Sequence, residues 1–94
     1  MNEQIETFRT KVTLEHIQGR VTSTAYTLLP DGKTTVCQLY MINGYTIMGT
    51  SSCVDPANYN QALGEKYAYE NAINAAWPLE GYLLAEEIHQ RNQS

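Results

Sequence analysis

Cys37, Cys53, His16, His89 and Glu80 are the residues of this 94-residue chain whose types could do chemistry. Two thiols and two imidazoles suffice in number for a zinc site. The Cys-x-x-Cys and His-x-x-x-His spacings that let short segments wrap a tetrahedral ion do not occur, so no metal and no cofactor is expected. Cys37 falls in the middle of the β-type run "TTVCQLY" and reads as a small packed apolar residue. Cys53 lies in a loop just before a helix start, where the positive end of the helix dipole lowers a thiol pKa. A cysteine nucleophile also needs a base within hydrogen-bond reach, and the two histidines stand near opposite ends of the chain; Cys53 therefore reads as packing beneath its loop. Glu80 is the one carboxylate inside the stretch "AAWPLEGYLL". As an acid or base it would want raised affinity for its proton and a partner, and no partner carboxylate is evident. With Pro78 opening a new helix, a first-turn glutamate instead satisfies free backbone N–H groups and the positive dipole end. No catalytic residue is assigned.

Phosphate loops are excluded: "GTSSCVDP" lacks the lysine and glycines of a P-loop, and G-x-G-x-x-G does not occur. Tyrosine stands out, with seven copies at 26, 40, 45, 59, 67, 69 and 82. A rigid ring with a polar tip suits a core or an interface. A purine or ribose ligand would also use stacked rings, hydroxyl tips and a cation, which nominates Arg20, Tyr40, Asn43, Tyr45, Ser52, Tyr59, Lys66 and Tyr69 as a ligand-binding set.

The elements that must position these residues follow from pattern. A chain of this length without a composition shift is one domain, 1–94, whose small core would gain from self-association. Ten acids against six bases give a net charge of -4, scattered along the chain, which excludes a basic face for duplex nucleic acid. No apolar run approaches a bilayer span and the polar start "MNEQIETFRTK" lacks a signal-peptide core, so a soluble protein with free thiols in a reducing compartment is expected.

Residues 1–11 read as a flexible arm and 12–19 as a short helix, with Thr13 as N-cap, Leu14, Ile17 and Val21 at helical spacing and Gly19 as the stop. A three-stranded antiparallel β-meander follows over 21–50, turned by "PDGK" and by Asn43-Gly44, which signals a two-residue type I′ hairpin. That loop pairs Ile42 with Tyr45, Tyr40 with Ile47 and Gln38 with Gly49. Val36, Tyr40, Ile42, Tyr45 and Ile47 then share one face, and Cys37, Leu39, Met41 and Met48 the other. Two apolar faces need two covers, helices on one and a second subunit on the other. Asp55-Pro56 reads as an N-cap with proline at the first helical position, or as a turn leading to a cap at Asn58 or Asn60. Residues 56–92 form a helical hairpin. In its first helix Leu63, Tyr69, Ala72, Ile73 and Ala76 line one side. Pro78 ends that helix at Trp77. Leu79, Leu83, Leu84 and Ile88 face inward from the second, Gly81 marks a close backbone approach, and Trp77 and Tyr82 pin the corner. The fold class is α+β: short N-terminal helix, three-stranded antiparallel meander, C-terminal helix-turn-helix hairpin.

Residues 35–84 also carry an ordered set of motifs: Val36-Cys37, Asn43-Gly44-Tyr45-Thr46, Gly49, Ser52-Cys53-Val54-Asp55-Pro56, Asn58-Tyr59, Gly64, Lys66, Ala68 and the run from Trp77 through Pro78, Glu80 and Gly81 to Tyr82. In that order and spacing the chain resembles a family of small tailed-phage proteins shared by coliphage N-four and Shigella phage Sf-six. Ser51-Ser52 replaces a more usual acidic or small pair and Glu65 stands where a basic residue is common, which weakens any anion site built on that helix turn. The resemblance implies a bacteriophage protein made in the host bacterial cytoplasm, and it carries no activity over. By architectural analogy with small phage proteins that sequester immune signals, the expectation is a non-enzymatic homo-oligomer. Its ligand would be a cyclic nucleotide or ADP-ribose-type molecule of host defence. The alternative is a host-takeover or structural protein acting by protein–protein contact through the sheet face of Leu39, Met41 and Met48.

Overall fold

The computed structural model describes residues 9–93. A six-residue helix α1 (Leu14–Gly19) leads into strands β1 (Val21–Leu28), β2 (Thr34–Met41) and β3 (Thr46–Ser52). A 3-10 turn (Pro56–Asn58) then precedes a 33-residue helix α2 (Gln61–Gln93). The strands form an antiparallel meander in the order β1-β2-β3, so the α+β class and the meander stand as expected. Of the expected arm, residues 1–8 lie outside the described residues. Arg9 is held: its guanidinium pairs with Glu87 and its carbonyl accepts from Arg91.

Local chemistry sets the element ends. Thr13 Oγ1 accepts from the His16 amide, which caps α1 as its sequence requires. Asp55 accepts from the Ala57 amide with Pro56 at the first position of the 3-10 turn. Asn60 then starts α2 by accepting from the Leu63 amide, which is the turn-then-cap route.

The β2–β3 hairpin differs from its expected form by one residue. Gly44 N donates to the Met41 carbonyl and Met41 N to the Tyr45 carbonyl, so three residues, not two, make the loop. Gly44 alone has positive φ, at 88°, while Asn43 does not, and the Asn43 side chain accepts from the Tyr45 amide instead. A type I turn closed by a left-handed glycine satisfies the same sequence without strain at asparagine. Tyr40 therefore pairs with Thr46, Leu39 with Ile47 and Cys37 with Gly49, and a one-residue slip exchanges the faces. Cys37, Leu39, Met41 and Ile47 are buried together. Leu39 and Met41 consequently cannot form an exposed interaction face, and Met48 lies on the opposite side, 59% exposed.

Among the described residues that opposite side is uncovered. Its rows are Ser23, Tyr40 and Thr46; Ala25, Gln38 and Met48; Thr27, Val36 and Thr50, and none of these carries a charge.

α2 packs across β3 and β2. Ala68, Ala72, Ala76, Glu80 and Leu84 are all buried and recur every fourth residue, one continuous stripe along the helix. The stripe approaches so closely because Gly49 has no side chain: a Cβ there would stand 2.5 Å from the Ala68 carbonyl oxygen and 2.6 Å from Ala72 Cα. A Cβ at Gly64 would likewise stand 2.7 Å from Thr35 Oγ1, whereas around Gly81 there is open space. Close approach thus belongs to Gly49 and Gly64, and the expectation for Gly81 is corrected.

The hairpin of helices is corrected as well. α2 continues through Pro78 without a break. Proline deprives the Asn74 carbonyl of its helical donor, a cost of about 3 kcal/mol in a free helix. Here Ala76 before it and Glu80 and Leu84 after it are buried on the same stripe, so packing on both sides holds the helix through the defect. Trp77 and Tyr82 pin no corner, Tyr82 being 74% exposed; Leu63, Leu79 and Leu83 are also exposed, while Leu84 is buried. A helix of this length spans about 50 Å, which gives the molecule its 58 × 23 × 20 Å dimensions.

Candidate functional site

α1 is a ridge between two grooves on α2. Leu14 and Gln18 project to one side of it, and His16 and Arg20, half a turn round, to the other.

On the first side lies an aromatic groove of about 470 Å³ walled by Tyr26 of β1 and by Tyr69, Ile73 and Trp77 of α2, with Lys66, Gln18 and Asn74 at its margins. Residues 66, 69, 73 and 77 fall on one helix face by spacing. Gln18 Nε2 donates to the Tyr69 hydroxyl at 3.3 Å, and Lys66 Nζ stands 5.6 Å from the Tyr67 ring centroid, within cation–π range. Burial, with the Cys37 thiol beside it, holds the Tyr26 hydroxyl above its ordinary pKa. It is therefore a protonated donor across the neutral range.

On the second side all three arginines of the chain, Arg9, Arg20 and Arg91, line a groove of about 650 Å³ with His16, Glu80, Glu86 and Glu87. Glu80 is only 3% exposed. Its Oε2 accepts from Arg20 Nε at 2.9 Å, and its Oε1 stands 3.6 Å from His16 Nε2. Glu80 is thus no helix cap. It sits mid-helix on the buried stripe and ties α2 to α1 by charge.

The eight residues nominated as a ligand set do not meet. Lys66 and Tyr69 enter the aromatic groove, and Arg20 enters the arginine groove committed to Glu80. Asn43 and Tyr45 lie by the hairpin tip beside Leu79, Tyr82 and Leu83, while Tyr40 is on the open sheet face. Ser52 and Tyr59 line a small cleft of about 200 Å³ with Cys53. In that cleft Ser52 Oγ is 3.0 Å from Thr34 Oγ1 and the Tyr59 hydroxyl 3.2 Å from Thr35 Oγ1. Cys53 Sγ donates to the Asp55 carbonyl at 3.3 Å. No histidine lines this cleft.

Sequence reasoning passed over Tyr26, Gln18, Asn74 and Trp77 for the aromatic groove and the His16–Glu80 approach for the other. The helical spacing of 66, 69, 73 and 77 was available in the helix that the sequence predicts up to Trp77. Nothing in the sequence brings His16 to Glu80 except the packing of α1 on α2. Among the described residues no three His, Cys, Asp or Glu side chains gather as a metal site, both cysteines are free, and no helix is long and apolar enough to cross a membrane.

The model of the Phage protein (N4 Gp49/phage Sf6 gene 66) family matches residues 12–88. The chain belongs to this family. In this gp49/gp66-family chain the matched segment spans α1, the sheet and α2 as far as Ile88, and so includes every wall of the aromatic groove. Arg9 and Arg91 of the arginine groove lie outside it. No curated protein and no solved structure matches the chain.

Proposed function

We propose that this phage protein works by binding and not by catalysis, in the host cytoplasm, where it sequesters a small nucleotide-type signal of host defence in the aromatic groove. The supporting observation is the convergence of Tyr26, Tyr69 and Trp77 with Lys66 on one groove. Rings stack on a base, a lysine offers a point charge to phosphate, and Gln18 and Asn74 bring amide donors and acceptors to the margin. The groove volume lies in the range used for small molecules.

Trp77 is the sole tryptophan, so its fluorescence reports this groove alone. Titration with cyclic dinucleotides and ADP-ribose isomers is expected to quench it for one of them. The same ligand at a hundredfold excess over Kd stabilises the fold by about 2.7 kcal/mol. Tyr69→Ala and Lys66→Ala should each abolish the quench. Absence of any fluorescence or melting change across the panel overturns the proposal.

A second reading, protein–protein contact, draws on the open sheet face with its exposed Tyr40 and Met48. The occupant we propose is a second copy of the chain. Two copies of net charge -4 repel, and a face without charge is where such copies approach at least electrostatic cost. Sedimentation of the wild type as an oligomer and of Met48→Lys as a monomer is the expected result. A monomeric wild type, or a host protein retained on this face in its place, rejects the homo-oligomer.

A further inference from the structure

Every buried side-chain nitrogen or oxygen that lacks a hydrogen-bond partner among the described residues lies in one place. The atoms are Arg9 Nη1, His16 Nε2 and Glu80 Oε1, and all three residues line the arginine groove. Native folds satisfy nearly all such atoms, because each unpaired one costs about 1–3 kcal/mol. A concentration of them on one concave surface marks where partners come from outside the chain.

The rest of each group is already committed. Glu80 Oε2 accepts from Arg20, and Arg9 Nη2 donates to both Glu87 oxygens at 3.1 and 3.2 Å. His16 Nε2 and Glu80 Oε1 are 3.6 Å apart, too far for a direct hydrogen bond and a span that a single oxygen bridges with two.

The three atoms specify a chemical complement. A carboxylate accepts only, so Glu80 Oε1 takes an O–H. His16 Nε2 can donate to the oxygen of that same hydroxyl. Arg9 Nη1 donates only, and its charge favours an anionic oxygen. Glu86 and Glu87 on the same groove limit how much negative charge a ligand can bring, which suits a single phosphate better than a chain of them.

We propose that the arginine groove is a binding site for a small hydroxyl-bearing anion of the sugar-phosphate class, its hydroxyl bridging Glu80 Oε1 and His16 Nε2 and its phosphate against Arg9 Nη1. The groove's 650 Å³ accommodates such a molecule. The site lies across α1 from the aromatic groove and does not depend on what that groove holds.

The test uses the chain's two histidines, whose imidazole proton signals are followed by NMR while ribose 5-phosphate is added, with ribose and inorganic phosphate as separate arms. The His16 signals are expected to shift saturably with ribose 5-phosphate and those of His89 to stay. Ribose alone and inorganic phosphate alone should each bind at least about tenfold more weakly. Arg9→Gln and Glu80→Gln should each weaken binding by at least about tenfold, the value of a hydrogen bond to a charged group. Glu80→Gln also breaks an ion pair, so Arg9→Gln, at a partly exposed residue, carries the test if the first variant does not fold. Any of four results overturns the proposal: no saturable shift at His16, equal shifts at both histidines, inorganic phosphate binding as tightly as ribose 5-phosphate, or unaltered binding by Arg9→Gln.

Discussion

Gly49 and Ala72 are in backbone contact: the helix main chain rests on the glycine with no room for a methyl group between them. Gly49→Ala must push α2 off β3 or bend one of them, and overpacking of this kind costs about 1–3 kcal/mol or more. A fall in Tm of at least about 4 °C is expected. An unchanged Tm would mean that the helix does not sit where the alanine stripe places it.

Pro78 offers a test of the continuous helix. Pro78→Ala restores the donor to the Asn74 carbonyl and removes the ring clash, so stability should rise by about 1–3 kcal/mol. Urea denaturation measures it. If Pro78 were instead the opening residue of a separate second helix, the same substitution would leave the midpoint unmoved or lower it.

Arg20 and Glu80 connect α1 to α2 through a pair with one well-buried partner. Glu80→Gln should cost about 1–3 kcal/mol, less than a wholly buried pair because Arg20 reaches solvent. The double variant Arg20→Met, Glu80→Leu should recover much of that loss, and with the single variants Arg20→Met and Glu80→Leu it closes a thermodynamic cycle that isolates the coupling. Additive effects would show that the two side chains do not interact.

Asp31 gives the pH dependence. Its carboxylate accepts from the Thr34 hydroxyl and from the Lys33 and Thr34 amides, and these bonds, the Thr34 hydroxyl first, hold its pKa below the ordinary 3.8. The folded value is the lower one, so the turn's contribution is present above the unfolded value. It is lost as pH falls through the folded one. Stability measured below pH 4 should decline less steeply in Asp31→Asn than in wild type, and parallel acid limbs would refute this.

The cysteines should separate chemically. Burial pushes the Cys37 thiol up, partly opposed by the nearby Tyr26 hydroxyl, while Cys53 is only half-buried. Iodoacetamide under native conditions is expected to label Cys53 at least about tenfold faster, with Cys37 reacting once urea unfolds the chain. Equal native rates would place Cys37 outside the core.

Capping and turn chemistry were legible in the sequence because they act over three or four residues: Thr13, the "PDGK" turn, Asp55-Pro56 and Asn60 all do what their types dictate. The failures have two physical sources. At Asn43-Gly44 two hairpin geometries suit the same dipeptide, and the choice between them depends on which face meets the helix, a long-range fact that turns Cys37, Leu39 and Met41 of β2 inward beside Ile47. At Pro78 a local penalty is outweighed by burial of Ala76, Glu80 and Leu84 against elements far away in sequence. The misreading at Pro78 also made Trp77 a corner post, whereas it walls the aromatic groove with Tyr69. The ligand set was nominated by residue type, and type alone does not say which groove a side chain enters.

Among the described residues strand β1 pairs on one side only, and its eight residues, "VTSTAYTL", contain no lysine, acid or proline. Its outer rail of backbone N–H and C=O groups is therefore unguarded against strand addition. Edge-to-edge pairing of this strand between copies is therefore the expected route to aggregation when the chain is concentrated. A lysine in place of Thr24 or Thr27 is the modest change that would post a guard there.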